Sequence, residues 1–157
     1  MSNQQWLNLG VDEQIVSSLI KRGLKTPFPI QGLTIPDALR GNDVCGKAKT
    51  GSGKTLAFGI PMVQNLDQPS GDNNPRGLIM VPTRELAIQV KEELDPLLNG
   101  KSLTAVAIYG GANIEEQIKA IKRGIDIIVA TPGRMIDLLE REEISLQSLE
   151  MVVPVSY

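Results

Sequence analysis

Ala48-Lys49-Thr50-Gly51-Ser52-Gly53-Lys54-Thr55 is the stretch that decides the fold. Small residues followed by Lys and Thr are what a backbone loop needs to wrap a polyphosphate. Gly51 and Gly53 permit conformations that a Cβ would obstruct, and the amides of the loop can then converge on phosphate oxygens. Upstream, residues 42–47 read as a short strand carrying Val44 and Cys45. Downstream, Thr55 to Val63 reads as a helix whose positive dipole end faces the loop. In this strand-turn-helix setting Lys54 reaches the β and γ phosphates, and the Thr55 hydroxyl is a ligand for Mg²⁺, which prefers oxygen donors around a nucleotide. The first glycine of the common G-x-x-x-x-G-K-[ST] pattern is replaced by Ala48.

Outward from this loop, apolar segments alternate with helical patterns. Val11 to Arg22 places Val11, Ile15, Leu19 and Ile20 on one helix face that Gly23 ends. A second helix, from about Ile30 to Leu39, contains Pro36 and is expected to kink or split there. Residues 67–75 have little to bury and read as an exposed loop. Strands are expected at Gly77–Val81, Leu103–Ile108, Ile125–Val129 and about Leu149–Val153, with helices at Glu85–Leu98, about Ile114–Lys122 and Arg134–Glu140 between them. Nearly all-apolar strands alternating with helices imply an α/β domain, a parallel sheet with helices on both faces.

The chain has 157 residues, enough for one domain, with 41% hydrophobic and 22% charged residues, as in a soluble globular protein. Its net charge of −2 provides no overall positive field, so any nucleic-acid contact must come from local groups. The absence of histidine removes the commonest general base and metal ligand. Cys45 is the one cysteine, which excludes a disulfide framework, fits a reducing compartment and is expected to be a buried small hydrophobe. No stretch approaches membrane-spanning length and the N-terminus has no basic head, so the expectation is a cytoplasmic protein with no membrane partner.

Ligands of open α/β sheets sit at the carboxyl ends of the strands, where distinctive clusters fall. Pro82-Thr83-Arg84-Glu85-Leu86-Ala87 follows one strand, Gly110-Gly111 the next and Thr131-Pro132-Gly133-Arg134 a third, while Pro27-Phe28-Pro29-Ile30-Gln31 precedes the phosphate loop. In this order, with the Ala48-initiated loop, they resemble the first RecA-like domain of the DEAD-box RNA helicases, over about Trp6 to Val153. The resemblance implies a RecA-like P-loop NTPase domain that uses ATP and Mg²⁺. Residues 1–41 would be the Q-motif region with its N-terminal helices, and residues 42–157 a partial ATP-binding core, together one structural domain.

The same resemblance assigns the sites. Gln31 matches the Q-motif glutamine, whose amide donates and accepts at the N6 and N7 edge of adenine and so prefers ATP to GTP. Trp6, where the family has an isolated aromatic, would pack beside the base, with a core position as the competing reading. Phe28 replaces the family's usual Thr. Ala48, Lys49, Thr50, Gly51, Ser52, Gly53, Lys54 and Thr55 would hold the phosphates, with Lys25 near the nucleotide, Lys54 and Thr55 in catalysis, and Thr55 on the metal. Pro82, Thr83, Arg84, Gly110, Gly111, Thr131, Pro132, Gly133 and Arg134 match positions facing an RNA sugar-phosphate backbone, a surface indifferent to base identity. Glu85 reads as a capping carboxylate.

One departure is large. In the family, the strand that here reads Met151-Val152-Val153-Pro154-Val155-Ser156-Tyr157 runs into Asp-Glu-Ala-Asp, whose first two carboxylates hold the metal through water and orient the attacking water. Val155 and Ser156 occupy those places, and neither supplies the charge stabilisation that phosphoryl transfer requires. The expectation is an ATP- and RNA-contacting piece of a helicase, C-terminally incomplete and without turnover of its own. The family's next strand inserts beside the phosphate-loop strand, so an exposed ladder edge and self-association are expected as well. The alternative is a nucleotide-independent competitor for RNA or for a helicase partner.

Overall fold

The computed structural model describes residues 2–48, 53–66 and 71–156. They fall into two compact units, one drawn from the chain up to Asn65 together with Pro96–Lys101, the other from Leu66–Asp95 together with Ser102 onward. The first is helical: α1 (Ser2–Asn8), α2 (Glu13–Lys21), α3 (Pro29–Leu39) and α4 (Lys54–Asn65). The helix that follows the phosphate loop thus groups with the N-terminal helices, across the 41/42 boundary expected from sequence.

Local chemistry accounts for the helix ends. Asp12 caps α2 by accepting a hydrogen bond from the Ile15 amide at 2.8 Å, and Ile15, Val16 and Leu19 are its buried face. Gly23, at φ +80°, lets the chain turn back, so that Leu24 N–H reaches Leu19 O and Gly23 N–H reaches Ile20 O, both at 2.9 Å. That double bond is the αL-terminated helix end that glycine favours. Proline occupies the first position of α3, where its missing N–H costs nothing. The expected break at Pro36 is not a split: α3 runs through it to Leu39, and α4 likewise runs through Pro61.

The second unit carries a four-stranded, all-parallel sheet in the order β2-β3-β1-β4. The strands are β1 (Gly77–Met80), β2 (Ala105–Ile108), β3 (Ile127–Ala130) and β4 (Met151–Pro154), each within a stretch or at the edge of one expected from its apolar run. Between them lie α5 (Arg84–Leu94), α6 (Ile114–Lys122) and α7 (Pro132–Glu140); the 3₁₀ turn over Asp95–Leu98 that follows α5 belongs, from Pro96 on, to the first unit. Leu78, Ile108, Ile128 and Ala130 share one face and pack with Ile118 and Ile121 of α6 and Met135 and Leu138 of α7. Residues of the opposite parity, Ile79, Ile127 and Val129, are fully buried too. Both faces of the sheet are therefore covered, as parallel sheets require.

Two expectations fail together at residues 42–48. This segment has no secondary structure, and Val44 and Cys45 are exposed rather than buried in a strand. A strand exists only where a neighbour completes its ladder, and among the described residues none pairs with this one; apolar identity alone does not order it. Among the described residues β4 pairs with β1 alone and is an edge of the sheet, whereas the edge expected from sequence lay beside the phosphate-loop strand. Met151 and Val155 donate their amides to Arg76 O and Met80 O of the β1 chain, so the alternation turns Val152 and Pro154 outward. Pro154 has no N–H to offer there, which blunts the edge.

Candidate nucleotide site and nucleic-acid interface

In the first unit, Lys54 and Thr55 open the 12-residue helix α4, both half-buried, and Ala57 N–H to Gly53 O at 3.2 Å closes its first turn. Gly53 stands at φ +81°. Gln31 is only 2% exposed, and both ends of its amide are engaged: Oε1 accepts from Phe28 N–H at 2.8 Å, and Nε2 donates to Gly53 O at 3.0 Å. The glutamine therefore ties the start of α3 to the residue immediately before Lys54. A Cβ added at Gly53 would sit 2.1 Å from Gln31 Nε2 and 2.7 Å from Phe28 Cδ2. Any other residue here would be strained by the positive φ and would have to displace one of these side chains. One N–H and one lone pair of the amide remain beyond these two bonds, but at 2% exposure they reach an adenine edge only if the surrounding side chains move.

Trp6 takes the competing place read from sequence. It is 1% exposed and donates its indole N–H to Leu24 O at 2.9 Å, so the ring packs in the core and presents no face to a base. Lys25 is exposed on the loop between α2 and α3, and Ala48 is half-buried. Lys49, Thr50, Gly51 and Ser52 lie outside the described residues.

In the second unit, parallel pairing brings the clusters after β1, β2 and β3 to one edge of the sheet. Pro82, Thr83, Arg84, Gly110, Gly111, Pro132 and Gly133 are exposed there, and Thr131 is half-buried. Thr83 caps α5, its Oγ1 accepting from Leu86 N–H at 3.2 Å, with Glu85 in the favourable first turn. Thr131 stands at the N-cap of α7 without a side-chain cap bond, and Pro132 follows at the first helical position. Thr83→Ala is expected to destabilise the folded state by about 1 kcal/mol, measured as a lowered midpoint in urea unfolding; an unchanged midpoint would show that the cap contributes nothing.

The arginines divide. Arg84 is half-exposed, its Nε 4.0 Å from Glu85 Oε1 and its guanidinium carbon 5.5 Å from the centre of the Tyr109 ring. Arg134 is turned inward: its Nη1 donates to Gln117 Oε1 at 3.0 Å and to Ala112 O at 3.2 Å. Gln117, 7% exposed, in turn donates Nε2 to Tyr109 O at 3.0 Å. Motif spacing did not point to Gln117. Its signal is a polar residue set into the apolar stripe of Ile114, Ile118 and Ile121 on α6.

The profile of the DEAD/DEAH box helicases matches residues 28–154. The chain belongs to this family. It is 47% identical over 144 residues, 92% of its length, to the ATP-dependent RNA helicase CshA of Listeria monocytogenes. It is also 47% identical over 152 residues, 95% of its length, to the pre-mRNA-processing ATP-dependent RNA helicase PRP5 of Gibberella zeae. This DEAD/DEAH box chain spans 27% of the length of the first relative and 13% of the second. Among its described residues no helix is long and apolar enough to cross a membrane.

Proposed function

We propose that this chain is the N-terminal, ATP-binding and RNA-contacting part of an ATP-dependent RNA helicase, in which ATP binding and hydrolysis are coupled to local strand separation in the cytoplasm. The observation that carries this reading is the placement of Thr83, Arg84, Gly110, Gly111, Thr131 and Gly133 along one edge of a parallel sheet, in a chain that also opens a helix with Lys54 and Thr55 behind a glycine at positive φ, where a Cβ would crowd Gln31 and Phe28.

The groups present fit the nucleotide. The ammonium of Lys54 supplies a cation for the phosphates, the amides at the start of α4 supply donors, and the Thr55 hydroxyl would hold Mg²⁺ beside the phosphate oxygens. The metal supplies charge neutralisation when bound. At the second unit, exposed helix-start amides, hydroxyls and the Arg84 guanidinium suit a sugar-phosphate backbone and carry no information about base identity. Val155 and Ser156, in the places of the family's carboxylates, supply no charge there to orient an attacking water, so binding without turnover is the activity proposed for these residues. Self-association by strand addition would use the outer side of β4, where Pro154 withholds one ladder donor. None of these findings favours the nucleotide-independent competitor.

Fluorescence anisotropy with a labelled single-stranded RNA of mixed sequence tests the interface. Arg84→Ala is expected to weaken binding several-fold and to lower the steepness of log K against log salt by about 0.7, the loss of one phosphate contact on a single strand. Identical affinity and slope for the two proteins would remove this edge from the RNA-binding surface.

A further inference from the structure

Arg84 does not extend freely from the end of α5. Its guanidinium carbon lies 5.5 Å from the Tyr109 ring centre, and a Cβ on Gly111 would come within 2.9 Å of its Nη1. Gly111 adopts φ +85°, a conformation that keeps the loop's backbone close under the guanidinium. The backbone that carries the ring is held from behind. Gln117 binds the Tyr109 carbonyl at 3.0 Å, and Arg134 binds both Gln117 Oε1 at 3.0 Å and the Ala112 carbonyl at 3.2 Å, so the segment from Tyr109 to Ala112 is pinned on both sides of the two glycines. Gln117 is buried, which makes loss of any of these bonds costly.

From this arrangement we infer that Tyr109 is a positioning residue for RNA binding: its ring face, anchored by the Gln117–Arg134 pair, fixes the Arg84 guanidinium in the orientation that meets a phosphate. Arg134 acts in this scheme as a strut of the loop and Arg84 as the phosphate partner. A planar guanidinium laid on an aromatic face loses little further freedom when it binds, whereas an unseated arginine on a half-exposed helix end must be ordered by the ligand. The inference rests on the RNA-backbone reading of this edge, and the experiment separates the two.

Binding of the 157-residue chain to a labelled single-stranded RNA is measured as a function of salt for wild type, Tyr109→Leu, Tyr109→Phe, Arg84→Lys, Arg84→Ala and the double variant Arg84→Ala/Tyr109→Leu. Tyr109→Leu is expected to bind roughly two- to fivefold more weakly, the range of one cation–π contact, with a salt slope moved toward that of Arg84→Ala. Tyr109→Phe retains the ring face and should match wild type. The double variant should be no weaker than Arg84→Ala, because the ring has nothing left to position. Wild-type binding by Tyr109→Leu, or a loss that adds in full to that of Arg84→Ala, would overturn the inference while leaving the RNA reading in place. Should Tyr109→Leu not fold, Arg84→Lys on the intact ring decides: a value between wild type and Arg84→Ala supports the planar seat, and wild-type binding refutes it. If Arg84→Ala itself binds like wild type, the RNA reading falls and the inference falls with it.

Discussion

Gly53→Ala should eliminate measurable ATP binding, and Lys54→Ala should weaken it at least tenfold. The two act by different routes. At Gly53 the backbone φ of +81° is unfavourable for any residue with a Cβ, by roughly 1–2 kcal/mol. The added methyl would also lie 2.1 Å from Nε2 of the buried Gln31 and 2.7 Å from Cδ2 of the exposed Phe28. Gln31 is buried and doubly bonded, so it cannot swing away without leaving Phe28 N–H and Gly53 O unsatisfied. The loop must shift instead, and the entrance to α4 shifts with it. At Lys54 the substitution removes the cation without adding a Cβ at a positive φ. A charge-assisted hydrogen bond is worth about 1.5–3 kcal/mol, which is about tenfold or more in affinity. Isothermal titration with MgATP of wild type, both variants and Gln31→Ala measures this. Gln31→Ala should give a smaller loss than Gly53→Ala, since it removes a tether without forcing a Cβ into the turn before α4. Equal affinities across the set would remove the nucleotide from this end of α4.

Arg76→Ala is expected to destabilise the folded state by about 3 kcal/mol, the cost of breaking a largely buried charge pair. Arg76 precedes β1, its side chain only 13% exposed, and its guanidinium binds the Leu66 carbonyl at 2.9 Å and Glu150 at 3.3 Å, with Asp126 Oδ1 at 3.9 Å. Its backbone joins the same neighbours, donating to Asp126 O at 2.8 Å and accepting from Glu150 N–H at 2.7 Å. The starts of β1, β3 and β4 thus meet at one residue. Removing the guanidinium leaves the Asp126 carboxylate, which also accepts from Thr104 N–H at 2.9 Å, buried without its nearest cation. The Glu150 contact contributes little, because that carboxylate is mostly in water. For a chain of this length the loss corresponds to a melting point lowered by roughly 6–12 °C. Arg76→Lys, keeping charge without the fork, should recover part of it. An unchanged melting point for Arg76→Ala would show that the cluster adds no net stability.

The parts of this molecule visible in its sequence are those whose causes lie within a few residues. Four strands could be placed because each is an apolar run bounded by turn residues, and α2 could be placed because Val11, Ile15 and Leu19 recur at helical spacing before Gly23; the caps at Asp12, Thr83 and Asn113 emerged only from the structure. The strand expected at Val44 and Cys45 was misread for a corresponding reason: its residue types favour a strand, but a ladder needs a second chain segment, and that requirement is written nowhere in the run itself. Helix α1 was missed because its polar run, Ser2 to Gln5, shows no apolar period; what it contributes to the core is Trp6.

At the candidate sites the same division holds. The sequence alone determined which residue types occur and in what order, enough to place a phosphate loop ahead of a parallel sheet and the family's clusters at the sheet's carboxyl edge. Only the tertiary structure decided what those side chains touch. Gln31 meets Gly53 across 22 positions, Arg134 meets Gln117 across 17 and Ala112 across 22, and Arg84 comes to rest on Tyr109. A buried amide or guanidinium must satisfy its hydrogen bonds with whatever the packed chain brings within about 3 Å, and contacts over such separations are set by how helices and strands pack, not by the residues adjacent in the chain.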